Sequence, residues 1–574
     1  MIRITLFACC FAASVIAESV RFTSFTYAGN DEIFASPISE YEYRNPILAG
    51  YYPDPSICRV GDDYYLTNST FAHFPGLPIF HSKDMVNWTQ IGNAIDRPDQ
   101  LPYDGAGISR ALFAPAISYH DGLFYLVCTM IDAGGNFLIT AEDPAGPWSD
   151  PIWLDFDGID PSLYFDESTG RAWMLNNGVP PDNAPLYDGH RAVWIQEWDI
   201  AARQLIGPRK IIVNGGVDLS TQPVWIEGPH IYRRGDWYYL NCAEGGTSVN
   251  HSQVIFRSKA PDGLYVPFTD HPTLTQRDLD PDRSHPVTCT GHADFEIGPD
   301  GNWWSIFLAC TPYEGGHYNT GRQTFLLPVT WKDDWPLILP PGKPVPLTGR
   351  GPNGAGLREP PVGSVVVAGA ADPGPGSSSG VTASNFPLTG NFTWRDDFDR
   401  AELGDPWLFM RAPQETWWST GDGLTIEPRS DSLRGRHNPS FIGRRLQHNR
   451  FQVETELELP ATPGVEAGLV AYHNETHHYV LGVDRQDAGY RVFLEKQQGA
   501  ARDAQVTEAT IDAKPGDAIT LRLTGHDVDY RFEFSRDGGA SWRQVGGIQD
   551  ARNLSVETSY DFIGVLLGPM ARNP

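Results

Sequence analysis

No stretch of this 574-residue sequence holds 18 or more uninterrupted apolar residues, the length a helix needs to cross a bilayer. A membrane-spanning helix is therefore not expected. Cations are also in short supply: 43 Lys and Arg stand against 71 Asp and Glu, a formal net charge of −28. A nucleic-acid groove needs a cationic surface, so a phosphate-backbone partner is excluded as well. Cysteine is scarce. Cys9 and Cys10 lie in an N-terminal apolar stretch, and the other five, Cys58, Cys128, Cys242, Cys289 and Cys310, are odd in number and without CxxC spacing. That gives neither a disulfide framework nor a zinc site; each reads as a small buried hydrophobe, with one disulfide left open. Also absent are a GxSxG nucleophile elbow, a Walker loop with its Lys, HExxH, and a GxGxxG opening a helix. The Gly-rich GRGPNGAG from Gly349 is the nearest decoy and lacks the Lys and the following helix.

Aromatic residues are abundant, at 12% with 17 Trp and 23 Tyr. Their flat apolar faces with polar rims suit sugar rings. The first 17 residues, MIRITLFACCFAASVIA, carry Arg3, an apolar run and small residues before Glu18, the pattern of a cleaved export signal. The expected protein is acidic, secreted or periplasmic, without a membrane anchor, and acts on a neutral substrate.

One element recurs along the chain: a small or acidic residue, usually Pro, an apolar residue, then a Gly or Asp turn and an aromatic-rich alternating run. The copies are DPSICRVGDDYYLT from Asp54, APAISYHDGLFYLV from Ala114, DPSLYFDESTGRAWML from Asp160, GPHIYRRGDWYYL from Gly228 and HADFEIGPDGNWWSIF from His292. Each reads as a β-hairpin, and further strand-like runs between them make about four strands per unit. The expected class is all-β. A five-bladed β-propeller occupies 40–348, where radial repetition removes exposed sheet edges. A Gly/Pro/Ser-rich linker follows over 349–390. Alternation returns over 391–574, as in Phe451 to Leu459 and Tyr530 to Phe534, and reads as a concanavalin- or jelly-roll-like β-sandwich.

In a propeller the first residues of each innermost strand surround the central channel, so the leading residues of the five copies should converge. Among them are Asp54 and Asp160; Glu227 precedes the fourth copy and His292 opens the fifth. Three carboxylates around one funnel suit glycoside hydrolysis, which needs one acid for the leaving oxygen and one base for water; a third can tune the acid.

These runs resemble glycoside hydrolase family 43. The matching segments are NPILAGYYPDPSI from Asn45, FPGLPIFHSKDMVNWTQIGNAI, FAPAISYHDGLFY, GIDPSLYFDE, IEGPHIYRRGDWYYL with AEGGTS behind it, TGHADFE and TGRQTFLLPVTW. They fall in order between Asn45 and Trp335, and the last 180 residues are similar to the accessory sandwich of that family's β-xylosidases and α-L-arabinofuranosidases. The resemblance implies an inverting mechanism, with Asp54 as general base, Glu227 as general acid and Asp160 raising and orienting the acid. It also implies substrate contacts from Arg322, Phe71, Phe113 and His292. Here Phe113 stands where Trp is usual, and Gln323 where Glu is expected beside Arg322. No cofactor is expected to be required. A Ca²⁺ in the central channel at His292 is the one metal the resemblance suggests. The expected substrates are xylo-oligosaccharides or arabinoxylan, cleaved in exo fashion to release terminal D-xylose or L-arabinofuranose, with a β-xylosidase that also acts as an arabinofuranosidase favoured. An endo-arabinanase, a fructan-cleaving relative and a noncatalytic glycan-binding propeller are the alternatives, and the oligomeric state is left open.

Overall fold

The computed structural model describes residues 19–360, 363–368, 386–500 and 505–574. The expected export signal lies outside them. Five antiparallel sheets follow one another along the chain, each begun by a copy of the repeat: Ser56–Val60, Ala111–His120, Ile159–Asp166, Glu227–Arg234 and Thr288–Ile297 are their first strands. Each of these strands touches the first strand of the next sheet, and the fifth touches the first. The sheets therefore close into a five-bladed propeller.

The repeat's sequence explains the joints. Ser56, third residue of the first copy, donates its hydroxyl to Asp294 Oδ2 of the fifth blade at 2.8 Å and accepts the Ile117 N–H of the second at 3.1 Å. Ser162, at the same place in the third copy, donates to the Pro229 carbonyl of the fourth blade. Asp294 also accepts the Ile57 N–H at 3.0 Å and the Tyr232 hydroxyl. A buried carboxylate so surrounded by donors is satisfied, and it ties the last blade to the first. The fifth blade has three strands of its own rather than four. Its outer strand Gln323–Pro328 is met by Leu48, which exchanges two backbone hydrogen bonds of 3.2 Å with Thr324.

The domain borders read from composition need two revisions. The strand Val20–Gly29, in no domain of the expected plan, lies inside the sandwich, between Phe392–Asp396 and Arg450–Glu458. Its alternating burial puts Phe22, Phe25 and Tyr27 in the sandwich core. The described parts of the 349–390 segment are also not a free linker: Thr348–Arg350 pairs with Glu42–Arg44, and Leu388 is buried against the propeller cluster containing Tyr43 and Tyr52. Composition there reflects turns that pack, with Pro and Gly setting the backbone.

The sandwich is two large antiparallel-rich sheets, and the propeller enters one of them: His73–Phe74 pairs with Leu408–Met410. Behind that joint Arg411, fully buried, donates to the carbonyls of Ala106 and His437 and pairs with Glu475. One hydrophobic cluster runs through the first two blades and the sandwich, so the two units share a core. All five described cysteines are buried free thiols.

Candidate active site

The leading residues of the five repeats, Asp54, Ala114, Asp160, Gly228 and His292, all have left-handed backbones, with φ of 51°, 39°, 55°, 56° and 50°. At four of the five, the hairpin register slips across this residue. Such a conformation costs a non-glycine residue of order 1 kcal/mol or more, and the four non-glycine leading residues, Asp54, Ala114, Asp160 and His292, line one cavity. The strain thus recurs at the residues that face the channel.

One cavity of about 700 Å³ lies there, and it is lined by all seven residues singled out from the sequence: Asp54, Asp160, Glu227, Phe71, Phe113, His292 and Arg322. Asp54 is buried, with one oxygen 3.0 Å from Arg322 Nη1 and the other accepting the Ser69 hydroxyl at 2.6 Å. Ser69 in turn accepts the Ala114 N–H at 2.7 Å. Burial disfavours the Asp54 carboxylate, but Arg322, then His292 and Ser69, outweigh it and hold its pKa below the ordinary value. Asp160 has the opposite setting. Burial and the nearby Asp54 charge push it up to about 7, against the Gly228 N–H that donates to Oδ2 at 3.1 Å. Glu227 is pushed well above the carboxylate range by burial and then by Asp160 and Asp54, with Arg322 and Arg191 opposing. The three carboxyls titrate as one group of interacting sites, with the negative charge settled on Asp54 and Glu227 kept protonated.

Phe71 is almost wholly buried, whereas Phe113 is half-buried with Arg110 lying 5.6 Å over its ring. Gln323, at the position where a Glu was expected, is buried and neutral, accepting the Gly50 N–H at 3.1 Å and donating to Thr311 at 2.7 Å. It leaves Arg322 to be held by Asp54, by Thr247 Oγ1 at 2.9 Å and by the carbonyl of Phe562 at 3.3 Å. His292 packs its ring against Gly228, where a Cβ would come within 3.0 Å, and burial pushes its pKa down to about 4. It is a neutral imidazole facing the cavity. Calcium takes six to eight oxygen ligands; among the described residues no three His, Cys, Asp or Glu side chains converge to hold a metal, and His292 offers one nitrogen. The protein groups alone do not form a calcium cage.

Sequence reasoning did not find Phe562, which the sandwich contributes to the cavity wall. Its ring stacks on Phe71 at 6.2 Å and stands edge-on to Phe113 at 5.8 Å. Its N–H donates to Ser109 at 2.9 Å. The approach is close because two glycines meet: a Cβ on Gly321 would lie 3.0 Å from Gly564 Cα. Nothing local marks Phe562, since its importance lies in a partner nearly 500 positions away. Arg191 and Trp225, also lining the cavity, were missed because they belong to no copy of the repeat and meet only when the chain folds.

Residues 43–336 match the family described as Glycosyl hydrolases family 43, and residues 395–574 match the Beta xylosidase C-terminal Concanavalin A-like domain. The chain is 34% identical over 559 residues to the non-reducing end alpha-L-arabinofuranosidase BoGH43B of Bacteroides ovatus, covering 93% of this chain and 92% of that protein. It is 36% identical over 488 residues to a xylosidase/arabinosidase of Butyrivibrio fibrisolvens, covering 83% and 85%. The crystal structure of a GH43_12 protein from a capybara gut metagenome superposes with a TM-score of 0.85 at 37% identity, covering 96% of this chain and 99% of that one.

Proposed function

The chain belongs to glycosyl hydrolases family 43, and from that premise we propose that it is an exo-acting, inverting β-xylosidase and α-L-arabinofuranosidase, using Asp54 as base and Glu227 as acid. The observation that carries this reading is the opposed electrostatics of two carboxyls in one cavity: Arg322 keeps Asp54 ionised while burial and like charge keep Glu227 protonated. Separated acid and base roles follow from environments that push two pKa values apart.

In the proposed step Asp54 takes a proton from a water molecule as its oxygen attacks the anomeric carbon. Glu227 gives its proton to the glycosidic oxygen as the bond to that oxygen breaks. One sugar leaves with inverted configuration, together with a saccharide shortened by one unit, and proton exchange with solvent resets both carboxyls. Arg322 fixes the direction of Asp54, and Asp160 sustains the high pKa of Glu227. No step calls on a metal or organic cofactor.

Release of a single terminal sugar is favoured by the cavity's enclosure. Phe562 walls the Phe71 side from the sandwich, which favours a pocket over the open groove that an endo-acting enzyme requires. Xylan-derived oligosaccharides and arabinoxylan side groups are the proposed substrates. The N-terminal apolar segment supports an exported enzyme, which is where such polymers are met.

Hydrolysis of 4-nitrophenyl β-D-xylopyranoside and α-L-arabinofuranoside by the intact protein, with proton NMR of the first-formed anomer, tests the proposal. Turnover of at least one with inversion is expected. A retained anomer would remove the inverting assignment, and no turnover of either would remove the exo-glycosidase reading.

A further inference from the structure

The cavity is lined by two groups of different character. In one, Asp54, Arg322 and Phe71 are almost completely buried and Phe562 stacks on Phe71. In the other, Arg191 and Trp225 are half-exposed. The guanidinium of Arg191 lies flat on the Trp225 indole, 4.0 Å from the ring centroid. Among the described residues it has no ion pair and no hydrogen bond, although the chain has 71 acidic residues. Arg322 and Arg110, the other arginines of the cavity, are paired with Asp54 and Asp132.

The pair is held by two interlocked segments. Tyr187 stacks on His190 at 4.8 Å and donates its hydroxyl to the Pro223 carbonyl at 2.8 Å. The buried His190 meets Asn214 Oδ1 at 2.9 Å. Trp225 donates its N–H to the Gly189 carbonyl at 2.9 Å, and the Arg191 carbonyl accepts the Gly215 N–H at 2.9 Å. Trp225 itself has a left-handed φ of 52°, a conformation that a bulky residue adopts only where its surroundings impose it. The platform is therefore built before any ligand arrives, and a stacked guanidinium loses less freedom on donating hydrogen bonds than a free side chain.

Its position says what it meets. Trp225 stands two residues before Glu227, and the Arg191 charge is felt at the Glu227 carboxyl. Glu227 protonates the glycosidic oxygen, so the part of the substrate beyond that oxygen lies on this side. We propose that Arg191 stacked on Trp225 is the leaving-group subsite, whose guanidinium N–H groups donate to the hydroxyl oxygens of the saccharide left behind. This rests on the acid assignment of Glu227 and adds the leaving saccharide as a determinant of specificity.

The test compares kcat/KM for xylobiose and an arabinofuranosyl-substituted xylotriose with that for the matching 4-nitrophenyl glycosides, which carry no sugar beyond the cleaved bond. In Arg191→Ala the ratio of saccharide to aryl-glycoside kcat/KM is expected to fall tenfold or more, and in Trp225→Ala in the same direction. Arg191→Lys keeps the positive charge near Glu227 but loses the planar fork, and is expected to recover less than half of the lost ratio. An unchanged ratio in Arg191→Ala overturns the subsite; full recovery with Lys also overturns it and leaves only a charge effect on the acid. Failure of the unmodified enzyme on both substrate types would instead strike the glycosidase reading itself.

Discussion

The ring of Phe562, carried by the sandwich, stacks on that of Phe71 in the first blade, with centroids 6.2 Å apart and planes inclined by 18°. The cavity wall is thus made by two units of the chain. Phe562→Ala opens that wall, and kcat/KM on aryl glycosides is expected to fall roughly tenfold or more, mainly through KM. An unchanged KM would show that the stack does not bound the sugar site.

Deleting residues 391–574 should do more than open the cavity. It would strip Val20–Gly29 of its neighbours on both sides and leave His73–Phe74 unpaired, exposing apolar edges that aggregate. The truncated chain is expected in the insoluble fraction, measured by centrifugation and circular dichroism. A soluble, cooperatively melting propeller would refute the shared core.

Removing either reacting carboxyl should cost about 10²–10⁴-fold in kcat, with a difference between the two. Asp54→Asn is expected to suffer on every substrate. Glu227→Gln should lose less on aryl glycosides than on xylobiose, because a nitrophenolate departs without protonation. Equal losses on both would argue against Glu227 as the acid.

Activity requires Asp54 ionised and Glu227 protonated, so kcat/KM should rise with pH through the depressed pKa of Asp54 and fall through the raised pKa of Glu227. In Arg322→Ala the charge that offsets burial at Asp54 is gone. Its pKa then rises, and the acidic limb of the profile is expected to move to higher pH. A limb that stays put while the rate falls would place Arg322 on substrate alone.

Asp160 carries a stability cost with a defined direction. Its folded pKa is raised to about 7, so stability is full below the ordinary Asp range and declines as pH climbs toward and past 7. Asp160→Asn has no proton to lose there. Its Tm should exceed the parent's at pH 8 by roughly 2 °C or more, with a smaller gain at pH 5 and a large loss of activity. A gain that does not depend on pH would contradict the burial of an ionising carboxyl.

Much of the site was legible because it sits on a repeat. Asp54, Asp160 and His292 occupy one position in the first, third and fifth copies, and Glu227 directly precedes the fourth, so equivalence alone predicts convergence. Ser56 and Ser162 show why the third residue of that element matters, each joining its blade to a neighbour. Phe562, Arg191 and Trp225 belong to no repeat, and each acquires its role from a ring or carboxyl brought to it by other segments. The Val20–Gly29 strand has the right alternation to be read as a strand, yet its partners begin at Phe392.

The sequence by itself determined the propeller, the hairpins and the residues that ring the channel, because alternation and turn residues act over a few positions and repetition puts equivalent residues at equivalent points of the blades. Only the tertiary structure decided that the N-terminal strand belongs to the sandwich, that Phe562 walls the cavity, and that Arg322 spans Asp54 and the sandwich backbone. The physical reason is that strand pairing and ring stacking are selected by shape and buried area, which depend on segments hundreds of residues apart.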